Sequence, residues 1–326
     1  IISSDPALAA KILMVANSSF YNLPSKIDSI SKALSILGTN TLKNIALSFV
    51  IAKELRGTSE DRFDFDFFWR RALTAAVGAD ILSPVISAKN EDTFVTALLQ
   101  DIGIIIMYHC RTEDYLKVLD EKRASSLSIE EAEIKVFGFD HQELGAEVLK
   151  HWGIPDTIYN PIRYHHSYND IPEGSQMASH LLLLSDKISS IYHGTHSAER
   201  FQDIKNIICG DYEVKEEDLE SMIDSVANKS VEVLSFFEIE SGDMKPFSQI
   251  LQEANDELGK LNLSYEQLTV ELKQAKEKAE KFAQELKDAN EQLREMVVRD
   301  GLTGLYNHRY FQDSMDHELS RAQRYK

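Results

Sequence analysis

Apolar side chains recur near the C-terminal end of this chain in steps that alternate three and four: Leu251, Ala254, Leu258, Leu261, Tyr265, Leu268, Leu272, Ala275, Ala279, Phe282, Leu286, Ala289, Leu293 and Met296. That is a heptad repeat with both core positions filled. Glu, Lys, Gln and Asn dominate the positions between, and no Pro interrupts them. The spacing predicts one helix over 251–299, roughly 70–75 Å long at 1.5 Å rise per residue. A single exposed helix would leave this narrow stripe unpaired in water, whereas a homodimeric coiled coil through 251–296 buries it. The next core position falls on Asp300, where the seam stops.

Charge narrows what the rest can do. The 326 residues carry 35 Lys and Arg against 53 Asp and Glu, a formal net charge of −18. Nucleic acid and anionic membrane surfaces, which want a basic face, are therefore not expected partners. Cys110 and Cys209 are the only cysteines, so no disulfide framework is implied and a cytoplasmic location fits. Apolar runs such as 181–184 are broken by Ser, Asp and Lys within a few residues, and none is expected to span a membrane. A hydrophobic content of 43% suits one α-rich domain before residue 245. The chain opens on Ile1 and reads as an internal piece of a larger protein.

Helix signals run through that domain. Ser4-Asp5-Pro6 starts a helix over 7–17, and Gly38 separates one over 30–37 from one reaching 55. The helix, glycine turn and helix also outline a DNA-reading motif, but Asn44, Ile45, Ala46, Leu47 and Phe49 make the second helix too apolar for a groove. After a polar break at 57–62, helices are predicted over 64–82, 92–108, 112–124, 128–137, 141–152, 155–166, 176–192, 197–209 and 216–237. Ser128 with Glu131, and Asp140 with Glu143, have capping-box spacing. No segment alternates at period two, so the fold class is all-α, with a joint at 242–246 leading to the long helix.

An ordered series stands on these helices: Phe68-Trp69-Arg70-Arg71, Gln100-Asp101-Ile102-Gly103, Asp140-His141 with Leu144-Gly145, Tyr164-His165-His166, and Ser185-Asp186. It resembles the HD superfamily of phosphohydrolases, and more closely the HDOD (HD-related output domain) family through Asp5-Pro6-Ala7-Leu8 and Ala16-Asn17-Ser18. Active HD enzymes use a first-helix His, a His-Asp pair and a later Asp to bind a metal that activates water. Here the first His position falls on Arg71 and the second on Gln100, leaving Asp101 and Asp186. Arg offers no lone pair to a metal and Gln is a poor stand-in for imidazole. The resemblance therefore implies a catalytically inactive signalling module with no metal expected. Against this, HD-GYP relatives use residues equivalent to His141, His165 and His166 in expanded metal sites. His109, His151, His180, His193 and His196 match no motif position and are expected to be surface or capping residues.

Directly after the seam come Asp300, Leu302, Thr303, Gly304, Leu305 and Asn307 in the order Asp-x-Leu-Thr-Gly-Leu-x-Asn. This resembles the opening of a GGDEF domain, the diguanylate cyclase family, with His308 in place of the usual first Arg. In that family the GTP and Mg sites lie well beyond Lys326, so this chain by itself is not expected to be a cyclase. The expected organisation is an HDOD-like regulatory domain at 1–245, a signalling coiled coil at 246–299 and the start of a GGDEF domain at 300–326. It implies a bacterial-type signalling protein in which a parallel coiled coil sets whether two cyclase domains face each other in cyclic di-GMP synthesis. A metal-dependent phosphohydrolase and a non-enzymatic interaction scaffold are the alternatives. The sequence names neither the input ligand nor the signalling partner of the first domain.

Overall fold

The computed structural model describes residues 5–18, 21, 26–57, 62–88, 92–125, 127–166, 171–194 and 197–324, without the side chains of 254, 257, 258 and 261. The expectations for Ser4 and His196, most of the polar break, and the seam side chains Ala254, Leu258 and Leu261 lie outside the described residues. Among those residues the regular structure is helical, apart from one isolated antiparallel bridge between Arg299 and Tyr306. The chain divides into two compact units, Ile1–Glu253 and Ala254–Lys326.

In the first unit the helices are α1 (Pro6–Ala16), α2 (Ile30–Glu54), α3 (Phe65–Leu82), α4 (Thr93–Leu98), α5 (Ile102–Cys110) and α6 (Thr112–Ala124). They continue with α7 (Ile129–Phe137), α8 (His141–His151), α9 (Asp156–Arg163), α10 (Gln176–His193), α11 (Ser197–Asp211), α12 (Glu216–Phe236) and the beginning of α13 (Phe247–Val298). Local chemistry sets several ends. Asp5 accepts the amides of Ala7 and Leu8 at the start of α1, Ser128 and Glu131 close a full capping box on α7, and Gly138 ends α7 at φ +85°. Gly38 breaks α2 at φ +80° and ψ 168°, which is where the sequence separates two helices.

The core is built on α3, which packs along α10 and α12 and against α4. Its Gly78 lies against α10, where an added Cβ would stand 3.5 Å from Ile188 Cγ2, and Leu181, Leu184, Ile188 and Ile191 of α10 are buried. Each such Leu or Ile contributes about 1.5–3 kcal/mol when fully buried.

Two expectations need correction here. The helix predicted over 92–108 is two helices, broken at Leu99–Asp101, because α5 must swing onto α8. Gly103 of α5 sits so close to the His141 carbonyl that an added Cβ would lie 2.1 Å from that oxygen. Two stretches, Ile30–Glu54 and Thr93–Cys110, do reach the length and apolar content of a membrane-crossing helix, although none was expected. The second is the broken α4–α5 pair and lies mostly in the core.

The joint before α13 is held by arginines of the first unit. Arg56 donates to the Glu238 carbonyl at 2.9 Å, and Arg70 of α3 donates to the Glu240 carbonyl at 2.8 Å. Phe247 is buried against Phe201, and Ser248 bonds the Asp224 carboxylate through both its amide and its hydroxyl.

In the second unit α13 ends in a tight turn that leads into α14 (His308–Arg324). The Asp300 carboxylate accepts from the amides of Leu302 and Thr303 and from the Thr303 hydroxyl. Gly304 takes φ +70°, and Asn307 caps α14 by accepting the Tyr310 amide while donating to the Val297 carbonyl. Asp300, Thr303, Gly304 and Asn307 thus each build the turn, whereas Leu302 is 97% exposed.

Candidate functional site

Three segments of the first unit deliver titratable side chains to one buried place. Asp101 stands at the break between α4 and α5, His141 opens α8, and His165 and His166 follow α9. The turn carrying them begins at Tyr164, so α9 ends three residues before the predicted 166. His165 and His166 are thereby freed from helical geometry.

Each imidazole has a definite partner. His141 Nδ1 lies 2.7 Å from Glu133 Oε2, which also accepts the His141 amide at 2.8 Å, so this nitrogen carries the proton. His165 Nδ1 donates to the Ile162 carbonyl at 2.6 Å. The Nε2 atoms of both rings are buried and have no hydrogen-bond partner among the described residues. They lie 3.5 Å and 3.4 Å from one oxygen, Asp101 Oδ1. His166 pairs with Glu130 at 3.2 Å, and its amide donates to Gln142 Oε1.

The electrostatics follow from this packing. Burial opposes the charge on His141, but the Glu133 carboxylate and then Asp101 outweigh it and raise the imidazole to about 9. Burial also pushes the Asp101 carboxyl up, yet the neighbouring His165, His141 and Arg71 side chains hold it below the usual carboxylate range. His166 is driven down to about 2, first by burial and then by its two imidazole neighbours.

Arg71 takes a different acid. Its guanidinium bonds Asp186 of α10, while the Arg71 carbonyl accepts the Ser189 hydroxyl. The degenerate set therefore divides in two: Arg71 with Asp186, and Asp101 with the three histidines. Gln100 is fully buried, and neither amide atom has a hydrogen-bond partner among the described residues. The Arg71 side chain is 36% exposed and that of Asp186 19%, so the pair is only half-buried. Arg71→Ala is expected to cost about 1–3 kcal/mol, below the 3–5 kcal/mol of a fully buried pair. An unchanged melting temperature would remove any structural role for the pair.

Sequence reasoning missed Glu133. It is fully buried, accepts from His141 and from the Tyr115 hydroxyl, and orients the site. A signal was present: Glu133 falls within the inward stripe of α7 formed by Ile129, Ala132 and Val136, where an acid is costly unless paired. The remaining described histidines stand apart from this group, His180 bonding Tyr212 and His193 bonding Thr74. One ligand atom each from Asp101, His141, His165 and His166 lies within 4.8 Å of the others. With their Nδ1 atoms committed elsewhere, His141 and His165 present free Nε2 donors, and this half of the set fits a metal ion.

A family model described as HDOD domain matches residues 1–168. A Treponema pallidum (strain Nichols) protein described as uncharacterized is 24% identical over 175 residues, 53% of this chain and 34% of that protein. The chain thus spans about a third of the length of that curated relative. An HDOD domain protein of unknown function from Geobacter sulfurreducens has the same fold, with TM-score 0.56 and 20% identity over 72% of this chain and 82% of its own. So does a Shewanella amazonensis protein whose description suggests a phosphohydrolase, with TM-score 0.57 and 19% identity over 73% and 84%. A Marinobacter aquaeolei protein whose description suggests signal transduction gives TM-score 0.55 and 19% identity over 73% and 53%. At these identities the likeness shows the fold alone.

Proposed function

The chain belongs to the HDOD domain family, and on that premise we propose that it is part of a signal-transduction protein. Residues 1–245 act as a non-hydrolytic regulatory module, 246–299 as a parallel dimeric coiled coil, and 300–326 as the start of a diguanylate cyclase domain. Mg and GTP belong to the complete output domain, and the protein works in the cytoplasm in cyclic di-GMP signalling.

One observation carries the coupling. Tyr265, Leu268, Leu272, Phe282, Leu286, Leu293 and Met296 form one stripe and are all 58–71% exposed in the single chain. A second copy of the same helix is the partner whose stripe matches in length and period. The route from the site to this helix is short. Arg71 holds Asp186, and its neighbour Arg70 holds the joint at Glu240, so a shift of α3 reaches the root of α13 directly.

The absence of hydrolysis follows from the residue types. Arg71 occupies Asp186, and Gln100 stands where an imidazole would be needed. A phosphohydrolase is the second reading, favoured by the free Nε2 atoms of His141 and His165. The full chain, loaded in turn with Zn2+ and Mn2+, is expected to leave a generic phosphodiester such as bis(p-nitrophenyl) phosphate intact. Metal-dependent turnover abolished by Asp101→Ala would replace the regulatory reading with the hydrolytic one.

A further inference from the structure

We infer that Asp101, His141, His165 and His166 hold one transition-metal ion of the Zn2+ class in a closed, four-ligand site that stabilises the domain. The inference goes beyond the signalling reading and does not rest on it. It revises the expectation of no metal, which followed from the resemblance and from Arg71 and Gln100 standing at the two lost His positions.

A metal ion here displaces the proton that His141 otherwise holds, and the geometry of the site points to the metal. If a proton joined His141 or His165 to Asp101, the charge-assisted bond would be about 2.7–2.9 Å long. The separations are 3.5 Å and 3.4 Å, and neither Nε2 makes a hydrogen bond. Around a tetrahedral Zn2+, bonds of about 2.0–2.2 Å put neighbouring donor atoms roughly 3.3–3.6 Å apart. Both distances fall in that interval. All four donors lie within 4.8 Å, so small side-chain adjustments complete the set.

The supporting contacts are those of ligands. A metal-binding imidazole usually gives its other nitrogen to a carboxylate or a carbonyl, which fixes the ring and its tautomer. Glu133 does this for His141 and the Ile162 carbonyl does it for His165. Both rings are fully buried, so an unpartnered Nε2 costs desolvation energy that a bound cation would recover.

Donor chemistry then sets the class of ion and the role. Three imidazoles and one carboxylate suit Zn2+ or a similar transition metal rather than Mg2+ or Ca2+, which prefer oxygen. Asp186 is withdrawn by Arg71, whose fixed charge stands where a second cation would need that carboxylate. Four protein ligands leave no open position for a substrate or water, which is the pattern of structural sites.

The full chain, stripped with a chelator and titrated with Zn2+, is expected to bind one equivalent and to melt at a higher temperature. His165→Gln and Asp101→Asn, both close in shape to the original, should weaken binding by more than about 100-fold. His193→Ala, outside the cluster, should bind normally. Co2+ in the same place should show the intense visible absorption of tetrahedral coordination. Wild-type protein that takes up no stoichiometric Zn2+, or His165→Gln that binds like wild type, would overturn the site. Weak octahedral Co2+ bands would overturn its closed geometry. Phosphodiester turnover by the Zn2+ form would contradict the non-catalytic role even with the metal bound.

Discussion

Gly103→Ala is expected to destabilise the first unit by about 3 kcal/mol or more, read as a fall in the urea midpoint. The argument weighs two opposed effects. Ala is preferred over Gly inside a helix by about 1 kcal/mol, and Gly103 lies in α5, so propensity alone predicts a gain. An added Cβ would, however, stand 2.1 Å from the His141 carbonyl oxygen and 2.9 Å from its Cα. Backbone atoms cannot rotate away as a side chain can, so α5 and α8 must move apart. His141 then leaves its seat on Glu133, and the variant should also lose the Zn2+ binding inferred above. Gly145→Ala is the internal control. Its Cβ would meet Gly103 N and Ile102 Cγ2 at 3.3 Å, tight but short of a collision, so its cost should be clearly smaller. Equal midpoints for the two variants would mean that the α5–α8 contact is looser than described.

The second large effect is expected in self-association. Leu268 and Leu286 occupy core positions of the heptad, and each contributes about 1.5–3 kcal/mol when fully buried. Replacing both by Lys removes four such side chains from a dimer and places like charges across the seam. The summed loss, on the order of 6–12 kcal/mol, is a weakening of at least 10⁴-fold in the dimer constant. Sedimentation of the full chain should find a dimer, and the double variant a monomer whose first unit melts unchanged. A variant that remained dimeric would place the self-association elsewhere in the chain.

What the sequence disclosed and what it withheld follow from the range of the forces involved. The period of α13, the Asp5 cap, the Ser128–Glu131 box and the Gly38 break are set by neighbours within four residues, and all were legible. The break at 99–101 was not, because Gln100, Asp101 and Gly103 interrupt the apolar residues Val95, Ala97, Leu98, Leu99, Ile102, Ile104 and Ile105 only briefly and no Pro marks a stop. What breaks it is the tertiary seat of α5 on α8. The degenerate site was legible as a set of residues but not as a partition. Nothing in the spacing says that Arg71 takes Asp186 while Asp101 goes to the histidines. Glu133 could have been noticed as an acid inside an apolar stripe, but its partner His141 lies beyond the Gly138 turn. The motif at 300–307 was read through its resemblance alone, whereas its Asp, Thr, Gly and Asn also have a direct physical reason in the turn they form.

On the proposed reading, orientation of the seam decides whether the first unit can act through the long helix. An antiparallel pair would set the two Asp300 turns at opposite ends of a rod roughly 70–75 Å long, too far apart for the attached domains to share substrates. A parallel pair sets them side by side. Glu271 with Lys276 is the one complementary pair at the parallel g-to-e spacing, so the heptad charges contribute little to the choice. Association of the folded domains at fixed ends of each helix, if it occurs as proposed, would favour the parallel form. The direct measurement is disulfide cross-linking of Leu293→Cys in a Cys110→Ser, Cys209→Ser background, since facing core side chains of a parallel dimer lie near disulfide range. Rapid formation of a covalent homodimer under mild oxidation is the predicted result. Cross-linking of Leu293→Cys only to Leu251→Cys in mixed dimers, and never to a second copy of itself, would contradict the account.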